Sequence, residues 1–490
     1  MLRIIYLIFL VWIINVATIY AQKHDYVWCL GYESSGDSTS GFGGQNIYFQ
    51  SGAPIVNYRE RQLDFSASST SICDKEGALL FYSNGCKIFT ADDRLMEGGD
   101  SLTRMDNYWT QEFFCPLGFN FTQGLLTIPN PGDDDIYYLF HQDIKVADDL
   151  YPYTDELYVT TVSYENHPKG KVVQKRMLIL DEKLHFGTMT ATRHANGHDW
   201  WVVMSSLGGH TYYKFLITDM GVSYQGYQNI GAEISNEILN ISAKFSPDGK
   251  RYARFHILYG LEIMDFDRNT GVFSEPRFTP FWIDPIGSSL GNGLEFSPDA
   301  RKLYVCYGTE LVQFDLDELN VFDTRIVVGT FAIDTTLEPL QSRFYQMQLG
   351  PDGKIYMSHL NDTQSLHTIH NPNALGTDCN FEMRSVKLKT WNAFTMPYFP
   401  NFRLGKDTSP STDYDDIKMT CYPNPTTGIL QIDTNIEPAQ ILVYDHIGML
   451  VRSLPPSHQI DIQDLAAGLY LITLKNIHGG MTTHKVIKID

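Results

Sequence analysis

What the chain lacks narrows its identity first. Beyond the N-terminal run from Ile4 to Ile14, no stretch is long and apolar enough to span a bilayer, so no transmembrane segment is expected in the mature chain. Basic clusters are missing. Asp and Glu number 57 against 37 Lys and Arg, a formal net charge of −20, which repels nucleic acid and anionic membrane surfaces. None of the seven cysteines forms a Cys-x-x-Cys pair or a zinc-like Cys/His spacing. Gly-x-Ser-x-Gly, P-loop and His-Glu-x-x-His motifs are all missing, which weighs against an enzyme. No long segment carries helical periodicity, and that excludes a helical body.

What is there points to β-structure and export. Tyr and Phe are abundant, at 29 and 28, and flat side chains pack well on pleated surfaces. Met1-Leu2-Arg3, the apolar run, and Ala17-Thr18-Ile19-Tyr20-Ala21-Gln22 match a secretory signal peptide over residues 1–21, cut after Ala21. Cys29 lies too far from that point for a lipoprotein anchor. An odd cysteine count leaves at least one thiol unpaired in the monomer. Cys73 and Cys86 flank one hairpin and are the expected disulfide. Cys306, inside the apolar run Leu303 to Tyr307, reads as a small buried hydrophobe.

An irregular repeat organises the body. Its clearest copies are Phe245-Ser246-Pro247-Asp248-Gly249, Phe296-Ser297-Pro298-Asp299-Ala300 and Leu349-Gly350-Pro351-Asp352-Gly353, each leading into an apolar strand. Pro presets φ for a turn, Asp hydrogen-bonds its own backbone, and Gly accepts positive φ. Tyr252, Tyr304 and Tyr356 follow these turns at a spacing of 52 residues, which suits a four-stranded blade. Weaker copies lead into Phe81, Tyr138 and Trp201. The strand after each turn is apolar on both faces, as in a sheet sandwiched between neighbours. The fold class expected is therefore all-β: a seven-bladed β-propeller, with six blades as the alternative, plus a small C-terminal β-sandwich. Rings of this kind avoid open edges, so Phe394–Phe402 is expected as the innermost strand of a closing blade. Its next strands would be Tyr26–Tyr32 and Gln45–Phe49.

Gly77-Ala78-Leu79-Leu80-Phe81-Tyr82-Ser83-Asn84-Gly85-Cys86, Leu95 to Leu102 and Arg193 to Val203, taken with the Ser-Pro-Asp-Gly hairpins, resemble a known group of propeller modules. These occur in secreted and cell-surface proteins of bacteria that use type IX secretion. The resemblance spans about residues 26–403 and implies fold and location, with no activity attached. Ala300 in place of Gly, and Gly98 in place of Asn, depart from the group's pattern.

After Phe402 the composition changes. A polar stretch reads as a linker over 405–416, separating a body at 22–404 from a domain at 417–490. Tyr422-Pro423-Asn424-Pro425-Thr426-Thr427-Gly428, then Val443-Tyr444-Asp445 with Gly448, Gly468 and Tyr470 in Leu465 to Tyr470, and Lys485 in the terminal Lys-Val-Ile-Lys run resemble the type A sorting domain of the type IX system. That implies export through the type IX machinery to the outer cell surface or medium, with the domain usually removed.

Few residues invite chemistry. His194 and His198 bracket Asn196-Gly197, a hairpin dipeptide; they are the ligand-face candidates, though a turn role accounts for them. His367 and His370 fall on opposite faces of a strand and cannot readily share an ion. Asp133-Asp134-Asp135 is where calcium would be sought, yet the loop offers no spaced oxygen ligands, so no cofactor is expected. Two functions follow: a binding, adhesion or scaffold protein recognising a glycan or envelope protein, or an extracellular hydrolase of polysaccharide. A narrow, featureless centre favours the first, and two carboxylates facing across a funnel favour the second.

Overall fold

The computed structural model describes residues 22–33, 41–104, 110–146, 152–234, 241–280, 292–332, 342–407, 419–434, 438–445, 450–476 and 481–489. The expected signal peptide, most of the linker, and Gly448 lie outside them. The chain divides into two compact units, Met1–Asp407 and Thr408–Asp490.

The first unit is a propeller-like succession of seven antiparallel sheets, each a meander in chain order. The first holds Val27–Tyr32, Gly43–Tyr48 and Ile55–Arg59, and the second Thr70–Cys73, Leu79–Ser83 and Ile88–Thr90. The third is built on Leu125–Asn130, Asp133–Gln142, Pro152–Ser163 and Lys171–Leu184. The fourth is Thr190–Arg193, Trp200–Ser205, Thr211–Thr218 and Gly221–Asn229; the fifth starts at Ile241–Phe245 and ends at Val272–Thr279. The sixth runs from Asn292–Phe296 to Ile326–Thr330, and the seventh from Arg343–Leu349 to Phe381–Asn392.

Burial follows strand position. Trp200–Ser205 is buried throughout, whereas the outer strand Gly221–Asn229 has no fully buried residue. Inner strands lie between neighbouring sheets, and outer strands meet water on one side. The three clearest turns each join an innermost strand to the next. In them Asp248, Asp299 and Asp352 accept from the backbone two residues on, while Gly249, Ala300 and Gly353 hold φ of +71°, +60° and +79°.

Two expectations fail. Residues 394–402 form no strand. Pro397 and Pro400 remove two backbone donors, which an inner strand needs for its ladder. Instead the segment packs among the innermost strands. The Phe399 ring lies 6.1 Å from that of Trp28, Tyr398 bonds Thr190, and the Lys244 ammonium sits over the Tyr398 ring at 4.5 Å. The first sheet is completed by N-terminal strands alone. The expected disulfide is also replaced: Cys86 pairs with Cys115, 29 residues on, with Cα atoms 5.4 Å apart. Cys73 pairs in register with Leu79 and Thr70 with Ser83, so Cys73 and Cys86 sit at opposite ends of their hairpin. Cys306 is buried, as expected, and its thiol donates to the Tyr345 carbonyl at 2.9 Å.

Glutamines tie the sheets together where strands cannot. Gln348 accepts from Phe399 N at 3.1 Å and donates to Phe399 O at 3.3 Å, so one side-chain amide serves both backbone groups of a residue that has no strand partner. Gln45 does the same for Thr390, Gln123 for Ala243 and Gln228 for Phe273. Each satisfies peptide groups that would otherwise be buried without partners.

The second unit is a two-sheet sandwich. One sheet holds Met419–Tyr422, Ile429–Thr434 and Gln459–Asp461; the other holds Leu450–Leu454, Pro438–Tyr444, Gly468–Asn476 and Met481–Lys488. Ile429–Thr434 alternates exposed and buried, which fixes the face carrying Leu430 and Ile432 into the core with Ile441, Ile472 and Val486.

Candidate functional site

In a propeller the first place to look for a site is the centre, where the innermost strands converge. Here it is filled. Lys244 and Glu295, from the fifth and sixth sheets, form an ion pair at 3.0 Å with both side chains almost fully buried. Lys244 also donates to Gln348 at 2.8 Å, and Glu295 accepts from Leu349 N at 2.9 Å. Burial lowers the Lys244 pKa, and Glu295 opposes that shift. Residues 398–403 close over this cluster and leave a cavity of about 30 Å³, room for ordered water and not for a substrate. The ends of the body meet at the same place. Arg403 makes a bidentate pair with Asp25 at 2.7 and 2.8 Å, and the His24 and Phe402 rings lie 5.1 Å apart.

The two histidine candidates serve a turn. His194 Nδ1 accepts from Asn196 N at 3.1 Å, and Nε2 lies 3.0 Å from the Asn269 carbonyl. His198 Nδ1 sits 3.0 Å from Asp199 Oδ1, and Asn196 Oδ1 accepts from both His198 N and Asp199 N. Arg268 fastens the turn, donating to the carbonyls of Arg193, His194, Asp248 and Gly405. His367 is buried and stacks on His359 at 4.0 Å, while His370 pairs with Glu382 at 2.8 Å; the two do not share an environment. Lys75 pairs with Asp134 in the triple-aspartate run. Among the described residues no group of three or more His, Cys, Asp or Glu is placed to hold a metal ion.

Sequence patterns missed one charged cluster. Asp143 and Glu156 lie on either side of the Arg104 guanidinium, at 3.5 and 3.0 Å. Arg176 reaches Asp143 at 3.4 Å and stacks over Tyr158, and Lys145 bonds Asp155 at 2.6 Å. Burial raises the Asp143 pKa against the pull of Arg176 and Arg104. The guanidinium occupies the space between the carboxylates that a sugar and a water would need. This is an ion network of three cations and three anions, and no single residue pattern announces it because its members come from four separate segments.

In the second unit the motif residues act on one another. Asn424 Nδ2 donates to Lys485 O at 2.7 Å and its Oδ1 accepts from Ile487 N at 2.9 Å, binding the loop of Tyr422, Pro423 and Pro425 to the last strand. Gly428 has φ +140°, and a Cβ there would meet Gln463 at 2.3 Å. Gly468 pairs with Lys488 in register, and buried Tyr470 donates to Ala466 O at 2.9 Å. Residues 420–489 match the secretion system C-terminal sorting domain family. With that sorting domain the chain is exported by the type IX system to the cell surface or extracellular space. No helix among the described residues is long and apolar enough to cross a membrane.

No curated protein matches the chain. Among solved structures it is similar to the periplasmic gluconolactonase PpgL of Pseudomonas aeruginosa, at 11% identity and a TM-score of 0.42, covering 75% of this chain and 97% of that one. A putative 6-phosphogluconolactonase of Bacteroides uniformis gives 12% identity and a TM-score of 0.39, with 71% and 92% covered. The Cps50 (Swd1) β-propeller domain of Myceliophteria thermophila gives 11% and 0.31, with 75% and 96% covered. Likeness this distant says nothing about what the chain binds or does.

Proposed function

We propose that the chain is an exported, non-catalytic binding or scaffold protein whose body works through its outer surface. The filled centre carries this reading: among the described residues, 398–403 close over the converging inner strands and leave a cavity of only about 30 Å³, too small for a substrate. Support also comes from the Asp143–Glu156 pair, whose charges are already spent on Arg104. We read the seven sheets as seven blades of a closed ring, and the body as a module of the kind borne by type IX-exported surface proteins. Residues 1–21 act as signal peptide, 22–404 as body, 405–416 as linker and 417–490 as sorting domain. Tyr422, Pro423, Asn424, Pro425, Gly428, Gly448, Gly468, Tyr470 and Lys485 form the motif that addresses the chain to the machinery. His194 and His198 hold a turn, and neither calcium nor another cofactor is required.

A pull-down from the producing cell's own envelope, run beside a broad glycosidase screen on the purified chain, tests this. Saturable capture of a glycan or envelope protein without turnover is expected. Hydrolysis of any polysaccharide that is abolished by Glu156→Gln would replace this reading with the hydrolase one.

A further inference from the structure

Large aromatics are mostly buried in this protein, yet two tyrosines stand in solvent three positions apart on one outer strand. Tyr224 is 47% exposed and Tyr227 62%, both on Gly221–Asn229, the edge strand of the fourth sheet. Residues three apart on a regular strand point to opposite faces. Here the register shifts: Tyr227 pairs with Tyr213, and Tyr224 with Phe215. Tyr213 and Phe215 are two apart and share a face, so the irregularity puts both exposed tyrosines on that same face. Gly226 supplies the φ of +84° between them, and nothing lies within 4 Å of a Cβ built there. The glycine is needed for conformation and not for space, and such bulges re-aim side chains. The Tyr227 ring leans on Tyr213 at 6.3 Å, and Tyr224 on Phe215 at 5.4 Å.

The neighbouring blade completes the arrangement. Glu182, exposed on the edge strand Lys171–Leu184 of the third sheet, lies near enough that its charge adds to the burial that raises the pKa of the Tyr213 and Tyr224 phenols. Two exposed phenol rings on one face, with the Glu182 carboxylate near Tyr224, combine apolar faces with hydrogen-bonding groups. Polyhydroxylated sugar rings present the complement: C–H faces that stack on aromatics, and hydroxyls that bond to carboxylate and phenol. The net charge of −20 opposes sugars bearing uronate, sulfate or phosphate.

From the bulge, the paired rings and Glu182 we infer that this rim is a binding platform for a neutral glycan chain. The inference rests on the reading of the body as a binding protein and names its ligand class. Calorimetric titration of the full chain with neutral gluco-, galacto- and manno-oligosaccharides tests it, with a uronate oligosaccharide and a poly-lysine peptide as comparison probes. One neutral series should bind, with Tyr224→Ala and Tyr227→Ala each weakening it by about tenfold or more. Tyr227→Phe should retain most of the binding, and Tyr58→Ala, at an exposed tyrosine of the first sheet, should change nothing. Equal melting temperatures would exclude misfolding of these edge variants. Binding that is indifferent to both alanine variants overturns the platform, as does preference for the uronate or the peptide. No binding of any neutral series also overturns it, while capture of an envelope protein in the same preparation would leave the broader binding reading standing. Turnover of a bound oligosaccharide would instead overturn that broader reading.

Discussion

Replacing Gln348 with Leu keeps nearly the same volume and removes one amide from the centre of the body. Four partners lose a bond: Phe399 N, Phe399 O, Leu349 O and the Lys244 ammonium. Phe399 and Lys244 are both buried, so bulk water does not reach them, and the small cavity beside them holds too little water to serve every partner. Each buried backbone group left unsatisfied costs about 1–3 kcal/mol, and Lys244 keeps Glu295. The expected loss is about 3–5 kcal/mol, a large part of a typical stability of about 5–15 kcal/mol. Tryptophan fluorescence during urea unfolding reads the body alone, because no tryptophan follows Trp391. Trp28 and Trp200 report directly, with ring centroids 6.1 and 5.5 Å from Phe399 and Phe402. The midpoint should fall well below wild type, and Gln225→Leu, at an exposed site on the outer strand, should leave it unchanged. A Gln348→Leu midpoint equal to wild type would refute the argument that this amide replaces a strand partner.

Other outcomes follow from the same reasoning. Ala300→Gly relieves a left-handed residue at φ +60° and should raise stability by up to about 1 kcal/mol in the same assay. Cys86→Ala with Cys115→Ala opens a loop spanning 29 residues and should cost about 3 kcal/mol; an unchanged midpoint under reducing conditions would contradict it. Burial holds His141 and His359 down to about 3 and also lowers His367 and His24 from their ordinary value of 6.5. The unfolded chain then takes up protons that the folded one does not. Stability from these groups is therefore present above about pH 6.5 and lost as pH falls below it, by up to about 1.4 kcal/mol per pH unit for each histidine. Urea midpoints between pH 7 and 5 should show the loss, and His141→Gln should flatten it. Mass spectrometry of the exported product should find the body intact through Asp407, since Asp407 N donates to Ala195 O at 3.0 Å and Gly197 leaves no room beside Lys406.

Much of the fold is local and was therefore readable. Turns such as Ser246 to Gly249 announce themselves by residue type, and the apolar strands after them by pattern. The sorting motif carries its own loop chemistry around Asn424 and Gly428. What escaped depends on long-range partners. Nothing near Cys86 points to Cys115. A glutamine such as Gln348 or Gln45 has no periodicity, so its bonding to Phe399, 51 residues on in a segment without a strand, or to Thr390, 345 residues away, leaves no trace in sequence. Residues 394–402 were apolar enough to pass for a strand, although Pro397 and Pro400 argued against one. Tyr224 and Tyr227 look like opposite-facing residues until the bulge at Gly226 is known.

Amide hydrogen exchange at residues 394–402 in the intact chain tests the filled centre most directly. If the segment closes the axis, Phe399 N–H, held by Gln348 at 3.1 Å, exchanges only when the whole body unfolds, as the innermost strands do. Exchange of Phe399 as fast as that of exposed loops would mean the centre opens readily, and the case for a non-catalytic surface binder would lose its main support.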